Sequence, residues 1–124
     1  MRIGELASKT GVSARALRYY EQQGLLQSQR QANGYRDYDE SATQRVANIQ
    51  MLFEAGLNSD DVRGFGSCLD QDLTNTPMCS DALTQLEKRM RSMESRIAQL
   101  EAAHLRLGEH LADAKAQANA ESPG

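Results

Sequence analysis

Between Cys79 and Leu111 an apolar position recurs at gaps of four and three, and this seam limits what the rest of the chain can do. Its members are Cys79, Leu83, Leu86, Met90, Met93, Ile97, Leu100, His104, Leu107 and Leu111. With Leu83 at position a, every a and d position of the coiled-coil heptad is accounted for. A helix of this length, roughly 50 Å at 1.5 Å per residue, cannot hide its stripe against a domain of about 75 residues. The expectation is a second copy of the chain, a homodimer held along this seam. His104, the polar member at an a position, reads as a register-setting core residue.

Upstream of the seam the chain changes character. Ile3, Leu6 and Ala7 fall at helical spacing, and Gly11 is placed to end that helix. Ser13 then caps a second helix over 14–23, which gives a helix-turn-helix pattern. On this second helix Leu17 must face the first, and Val12 belongs to the same core. Arg15, Arg18, Tyr19 and Gln22 lie at i, i+3, i+4 and i+7, on one exposed face. Residues 1–38 carry six Lys and Arg against three Asp and Glu, whereas residues 39–79 carry two against seven. A basic amino-terminal part on a chain of net charge -3 suggests that this part meets a polyanion.

The stretch LLQSQRQANGYRDY holds Asn33-Gly34 between extended-looking segments, a strong hairpin signal. Arg30, Tyr35, Arg36 and Tyr38 gather around that turn, so the hairpin reads as a wing beside the helix-turn-helix. Helical periodicity returns over 39–54, with Val46, Ile49, Leu52 and Phe53 on one side. Asn58 and Asp61 are spaced as a capping box for a helix from Asp60 to about Leu69, which Gly64 and Gly66 weaken. Thr76-Pro77 reads as the cap and first residue of the long helix. The expected organisation is a winged helix-turn-helix domain over 1–70, a linker loop over 71–76, a coiled-coil dimerisation helix over 77–114, and a disordered tail over 115–124. The fold class is mainly α, with a small β-hairpin wing and a helix pair before the long helix.

Taken together, IGELASKTGVSARALRYYEQQGLL, then RQANGYRDY, then a helix pair and a coiled-coil helix resemble the MerR family of transcription regulators. The resemblance covers residues 2 to about 112. It implies a homodimer joined by antiparallel long helices, bound to a pseudo-palindromic operator within a promoter whose spacer is too long. It also implies that the activated dimer bends and untwists the DNA so that RNA polymerase engages both promoter elements. Carried onto this sequence, the resemblance places Arg15, Arg18 and Tyr19 at the major groove, and Arg30, Asn33, Tyr35, Arg36 and Tyr38 along the backbone from the wing. Phosphate contacts of this kind fix register, while base edges and DNA deformability carry sequence choice. Tyr20 divides evenly between packing against the wing and gripping a phosphate.

The signal is read less directly. Cys79 stands where metal-sensing relatives carry a cysteine at the start of the long helix, but the thiols those relatives place near its far end are missing from LGEHLADAKA. Three readings stay open. Cys79 and Cys68 are packed apolar residues; or they form a thiol sensor, Cys79 activated as the third residue of a helix and Cys68 resolving it; or they join His110 of the other chain at a metal. A reducing interior argues against a permanent structural disulfide between them.

No Ser/His/Asp set, phosphate-binding loop or framed carboxylate pair supports an enzyme, and no cofactor is implied. A DNA-architectural or recombination accessory protein can share the winged helix, though the long seam favours a promoter regulator. The opening MRIGEL lacks a signal peptide's apolar run, and no stretch is long and apolar enough for a membrane span, so a cytoplasmic protein without membrane partners is expected.

Overall fold

The computed structural model describes residues 1–74 and 79–121. In chain order it contains α1 (Ile3–Thr10), α2 (Ala14–Gln22), strands β1 (Gln29–Arg30) and β2 (Arg36–Asp37), α3 (Ala42–Glu54), α4 (Ser59–Arg63), a 3-10 segment (Gly66–Asp70) and α5 (Ser80–Glu121). The chain divides into two compact units, Met1–Glu87 and Lys88–Gly124. Mainly helical with one small antiparallel hairpin, it has the expected class of fold.

In the first unit local chemistry sets the helix ends. Gly11 takes a left-handed φ of 74° and donates its N–H to Ala7 O, closing α1. The Ser13 hydroxyl accepts from the Ala16 N–H at 3.1 Å and caps α2. At the other end of α2, Leu25 N–H reaches back to Tyr20 O at 2.9 Å across a left-handed Gly24. Asn58 and Asp61 form the expected reciprocal box at the start of α4, at 2.8 and 3.0 Å. Leu6, Leu17, Leu25, Val46, Ile49, Val62 and Leu69 are fully buried, and Val12 is buried beside them. Each such side chain contributes about 1.5–3 kcal/mol of hydrophobic stabilisation, which is what gathers these short helices into one body.

Four expectations are corrected. The helix foreseen from Asp60 to about Leu69 stops at Arg63, and Gly66 turns the chain left-handed with φ 56° into the 3-10 segment. Two glycines in three residues cost the helix about 2 kcal/mol against alanine, so tertiary contacts set the path instead. Asn48, 2% exposed, donates its amide to Leu69 O at 2.7 Å and Gln71 O at 2.6 Å. Arg45 adds bonds to Leu25 O at 2.5 Å and Asp70 at 3.1 Å.

The second correction concerns Cys68 and Cys79. Their sulfurs are joined in a disulfide, with Cα atoms 6.5 Å apart and a sequence separation of 11. The fold brings them together because the 3-10 segment ends beside the start of α5, at a separation that a disulfide spans. Third, Cys79 is not the third residue of a helix. It precedes α5, and its carbonyl accepts the first helical bond, from Leu83 N–H at 3.2 Å. The expected cap at Thr76-Pro77 lies outside the described residues.

Fourth, the stretch expected as a disordered tail remains helical as far as Glu121. Alanine at every second position from Ala112 to Ala120 explains this, since alanine is the strongest helix former and needs no apolar seam. On α5 the side chains of Leu83, Met90, Ile97, Leu100, Leu107 and Leu111 are 48 to 70% exposed, and Leu105, off the seam, is 65% exposed. Leu86 differs from its seam neighbours by packing against the core of the first unit. No helix among the described residues is long and apolar enough to cross a membrane.

Candidate nucleic-acid interface

The helix-turn-helix buries Leu17 and Tyr20 and leaves Arg15, Arg18, Tyr19 and Gln22 exposed on α2. The helical spacing alone predicts the exposed set and the burial of Leu17, while it leaves Tyr20 open. Tyr19, 45% exposed, places its hydroxyl 3.3 Å from the Ser59 hydroxyl, which ties the middle of α2 to the start of α4. Among the described residues no ion pair engages Arg15, Arg18 or Arg30, so their charges remain available to an anion.

The wing forms at the expected place. Gln29 pairs with Asp37 and Arg30 with Arg36 in antiparallel register. Its turn is closed by Gly34 N–H to Gln31 O at 2.9 Å, Gly34 has φ 85°, and the Asn33 side chain accepts from Tyr35 N–H at 3.2 Å. Glycine is needed there, because only it takes that φ at no steric cost. Asn33 therefore spends its side-chain oxygen on the turn. Tyr35 stands 56% exposed with the Arg2 guanidinium 4.1 Å above its ring.

Two tyrosines of the anticipated set are displaced from it. Tyr38 is 1% exposed, and its phenol donates to the Glu21 carboxylate. Burial, reinforced by that carboxylate, pushes the phenol up to about 12. It is a core residue that ties the wing to α2, not a backbone contact. Tyr20 is 7% exposed and packs its ring, tilted by 43° at 5.6 Å between centroids, against Phe53 of α3 and not against the wing, and burial raises its phenol as well. Arg36 remains half-exposed but is engaged, 3.2 Å from the second Glu21 oxygen.

Sequence reasoning passed over Glu21, Arg2, Arg45 and Asn48. Glu21 carried a signal, a lone acid within a basic face, whereas Arg2 meets the Tyr35 ring only through the fold. Arg45 and Asn48 are revealed only by tertiary contact. His104 and His110 are exposed on α5. Among the described residues no group of three or more His, Cys, Asp or Glu side chains is arranged to hold a metal ion.

Comparison with known proteins bears on the same residues. The model of the MerR HTH family regulatory proteins matches residues 1–65. The nodulation protein NolA of Bradyrhizobium sp. (strain NC92) is 38% identical over 100 residues, covering 74% of this chain and 42% of NolA. The HTH-type transcriptional regulator ZntR of Escherichia coli (strain K12) is 32% identical over 101 residues, covering 81% of this chain and 70% of ZntR. Among solved structures, the regulator PbrR691 from Ralstonia metallidurans CH34 in complex with lead(II) superposes with a TM-score of 0.70 at 26% identity, covering 88% and 83% of the two chains. HiNmlR, a regulator of the family lacking the sensor domain and bound to promoter DNA, gives 0.54 at 26% identity, covering 97% and 93%.

Proposed function

The chain belongs to the MerR family of helix-turn-helix transcription regulators, and from that membership we propose that two copies grip one pseudo-palindromic promoter operator. In this reading each copy lays α2 at the major groove through Arg15, Arg18 and Tyr19. The wing reaches along the backbone with Arg30, Tyr35 and Arg36. The exposed seam on α5 joins the copies as antiparallel helices, and the dimer distorts the spacer DNA so that RNA polymerase engages both promoter elements. A structural neighbour bound to promoter DNA supports the reading. The observation that carries it is the exposed face of Arg15, Arg18 and Tyr19 on the second helix of the helix-turn-helix, with a basic wing beside it.

The signal reading that the geometry favours is thiol redox at Cys68 and Cys79. The pair sits within bonding distance at the entry to α5, so making or breaking the bond changes how firmly that entry is held. In the oxidising direction a small disulfide accepts two electrons from the two thiols. The Cys68–Cys79 bond forms, and the reagent leaves as two thiols carrying both protons.

Arg18→Ala and Arg36→Ala test the DNA surface. Each is expected to weaken binding by about 1–3 kcal/mol at fixed salt, and Arg36→Ala to make the salt slope shallower by about one unit. Dimerisation should be unchanged. Wild-type affinity in both variants would refute this assignment of the surface.

A further inference from the structure

We propose that Glu21 is a positioning residue that locks the wing to α2 and so sets sequence selectivity rather than bulk affinity for DNA, an inference that rests on the DNA-facing reading of that surface. An acid here needs a reason. Glu21 lines a groove with Arg18, Gln22 and Arg36, where a carboxylate weakens attraction to a polyanion. Yet its side chain is only 15% exposed, and both of its oxygens are used.

One oxygen accepts from the buried Tyr38 phenol, and the other lies 3.2 Å from Arg36 Nη1. Arg36 and Tyr38 are two residues apart, so in extended backbone they leave on the same side. A single carboxylate therefore holds the second strand at Arg36 and the residue just past its end, Tyr38, and fixes both the strand's distance from α2 and its rotation. The hairpin register adds an electrostatic demand. Arg30 and Arg36 are cross-strand partners, and like charges directly opposite one another destabilise a hairpin. Glu21 offsets that repulsion, and the Arg36 guanidinium keeps further N–H donors for an anion.

A wing held at a fixed spacing from α2 meets phosphates only on duplexes whose shape presents them at that spacing. A loosened wing adapts to any duplex. Glu21→Gln preserves the side-chain volume and an acceptor for Tyr38 but removes the charge that holds Arg36. Affinity for a duplex selected by the wild-type protein should fall about tenfold, the scale of one misplaced charged contact. Affinity for a scrambled duplex should stay level or rise, because one negative charge has left the DNA-facing surface. The measured quantity is the ratio of the two affinities.

The full chain is used, with thermal melting to confirm the fold. A Glu21→Gln variant that melts like wild type and loses selectivity about tenfold supports the proposal. So does a Glu21→Gln/Arg36→Ala double variant that is no less selective than Arg36→Ala alone, because the two residues then act as one unit. A wild-type selectivity ratio overturns it, as does an equal loss on both duplexes, which a merely structural role produces. Should Glu21→Gln fail to fold, Tyr38→Phe keeps the buried ring, removes one of the two anchor points, and is read by the same ratio. Wild-type binding by Arg18→Ala would instead count against the DNA face itself.

Discussion

Cys68 and Cys79 are bonded across a Cα separation of 6.5 Å, and the bond joins the 3-10 segment to the residue that opens α5. Closing a loop of this length removes unfolded-state entropy worth roughly 3 kcal/mol in the chain-entropy account. Reduction, or Cys79→Ser, should therefore lower the unfolding free energy of the first unit by an amount of that order, seen as a lower urea midpoint. Melts with and without a phosphine reductant check this. Promoter activity under oxidant, electrophile and metal challenge then tests the sensor. Cys79→Ser responding like wild type to all three would leave the disulfide a structural staple only.

Asn48 holds the path that Gly66 opens. Its amide serves two carbonyls, and Asn48→Ala strips both of their donor while leaving a void. A loss of about 1–3 kcal/mol is expected, measured by chemical denaturation. DNA affinity of the folded fraction should be retained, since Asn48 is buried on α3 and away from the exposed face of α2.

The Tyr38 phenol supplies a pH signature. Its folded-state value is raised to about 12 from 10.0 by burial and then by Glu21, so the folded state keeps the proton longer than the unfolded chain does. The stabilisation is complete below about pH 10 and is lost as pH rises toward 12, where the unfolded state binds fewer protons. Ultraviolet titration should reveal a late phenolate component that Tyr38→Phe removes. Stability of Tyr38→Phe should decline less steeply over that window.

Along α5 the charges and the resemblance to the family argue for different orientations. Glu87, Glu94 and Glu101 fall at e and Arg89 and Arg96 at g, which would pair in a parallel dimer and meet their own kind in an antiparallel one. Exposed pairs of this sort contribute under about 1 kcal/mol each, so placing two winged helices on one operator outweighs them. With Cys68 and Cys79 replaced by serine, cysteines introduced at positions 87 and 107 should crosslink mainly 87 to 107. A dominant 87–87 product would mean parallel helices and end the antiparallel dimer.

What the sequence revealed was local. Gly11, Ser13 and the Asn58–Asp61 box announce themselves because a cap is satisfied within three or four residues. The exposed face of α2 follows from helical spacing alone. The break at Gly66 was hidden because glycine lowers helix stability without dictating where the chain turns, and a deciding bond joins Asn48 to Leu69, 21 residues apart. Tyr38 looked like a wing contact because its partner, Glu21, lies 17 residues earlier and on another element. A reducing interior argues against the disulfide, whereas the proximity that makes it is created only by the fold. The apolar seam ends at Leu111 and gives no sign of the helix beyond it, where alanine propagates α5 without a seam.

Selection of DNA from random duplexes by the full chain, followed by footprinting on the enriched sequence, tests the central claim most directly. The account predicts an inverted repeat protected as one continuous patch by two copies of the chain, and loss of that enrichment in Arg18→Ala. A pool that stays random, or enrichment that survives Arg18→Ala undiminished, would contradict it.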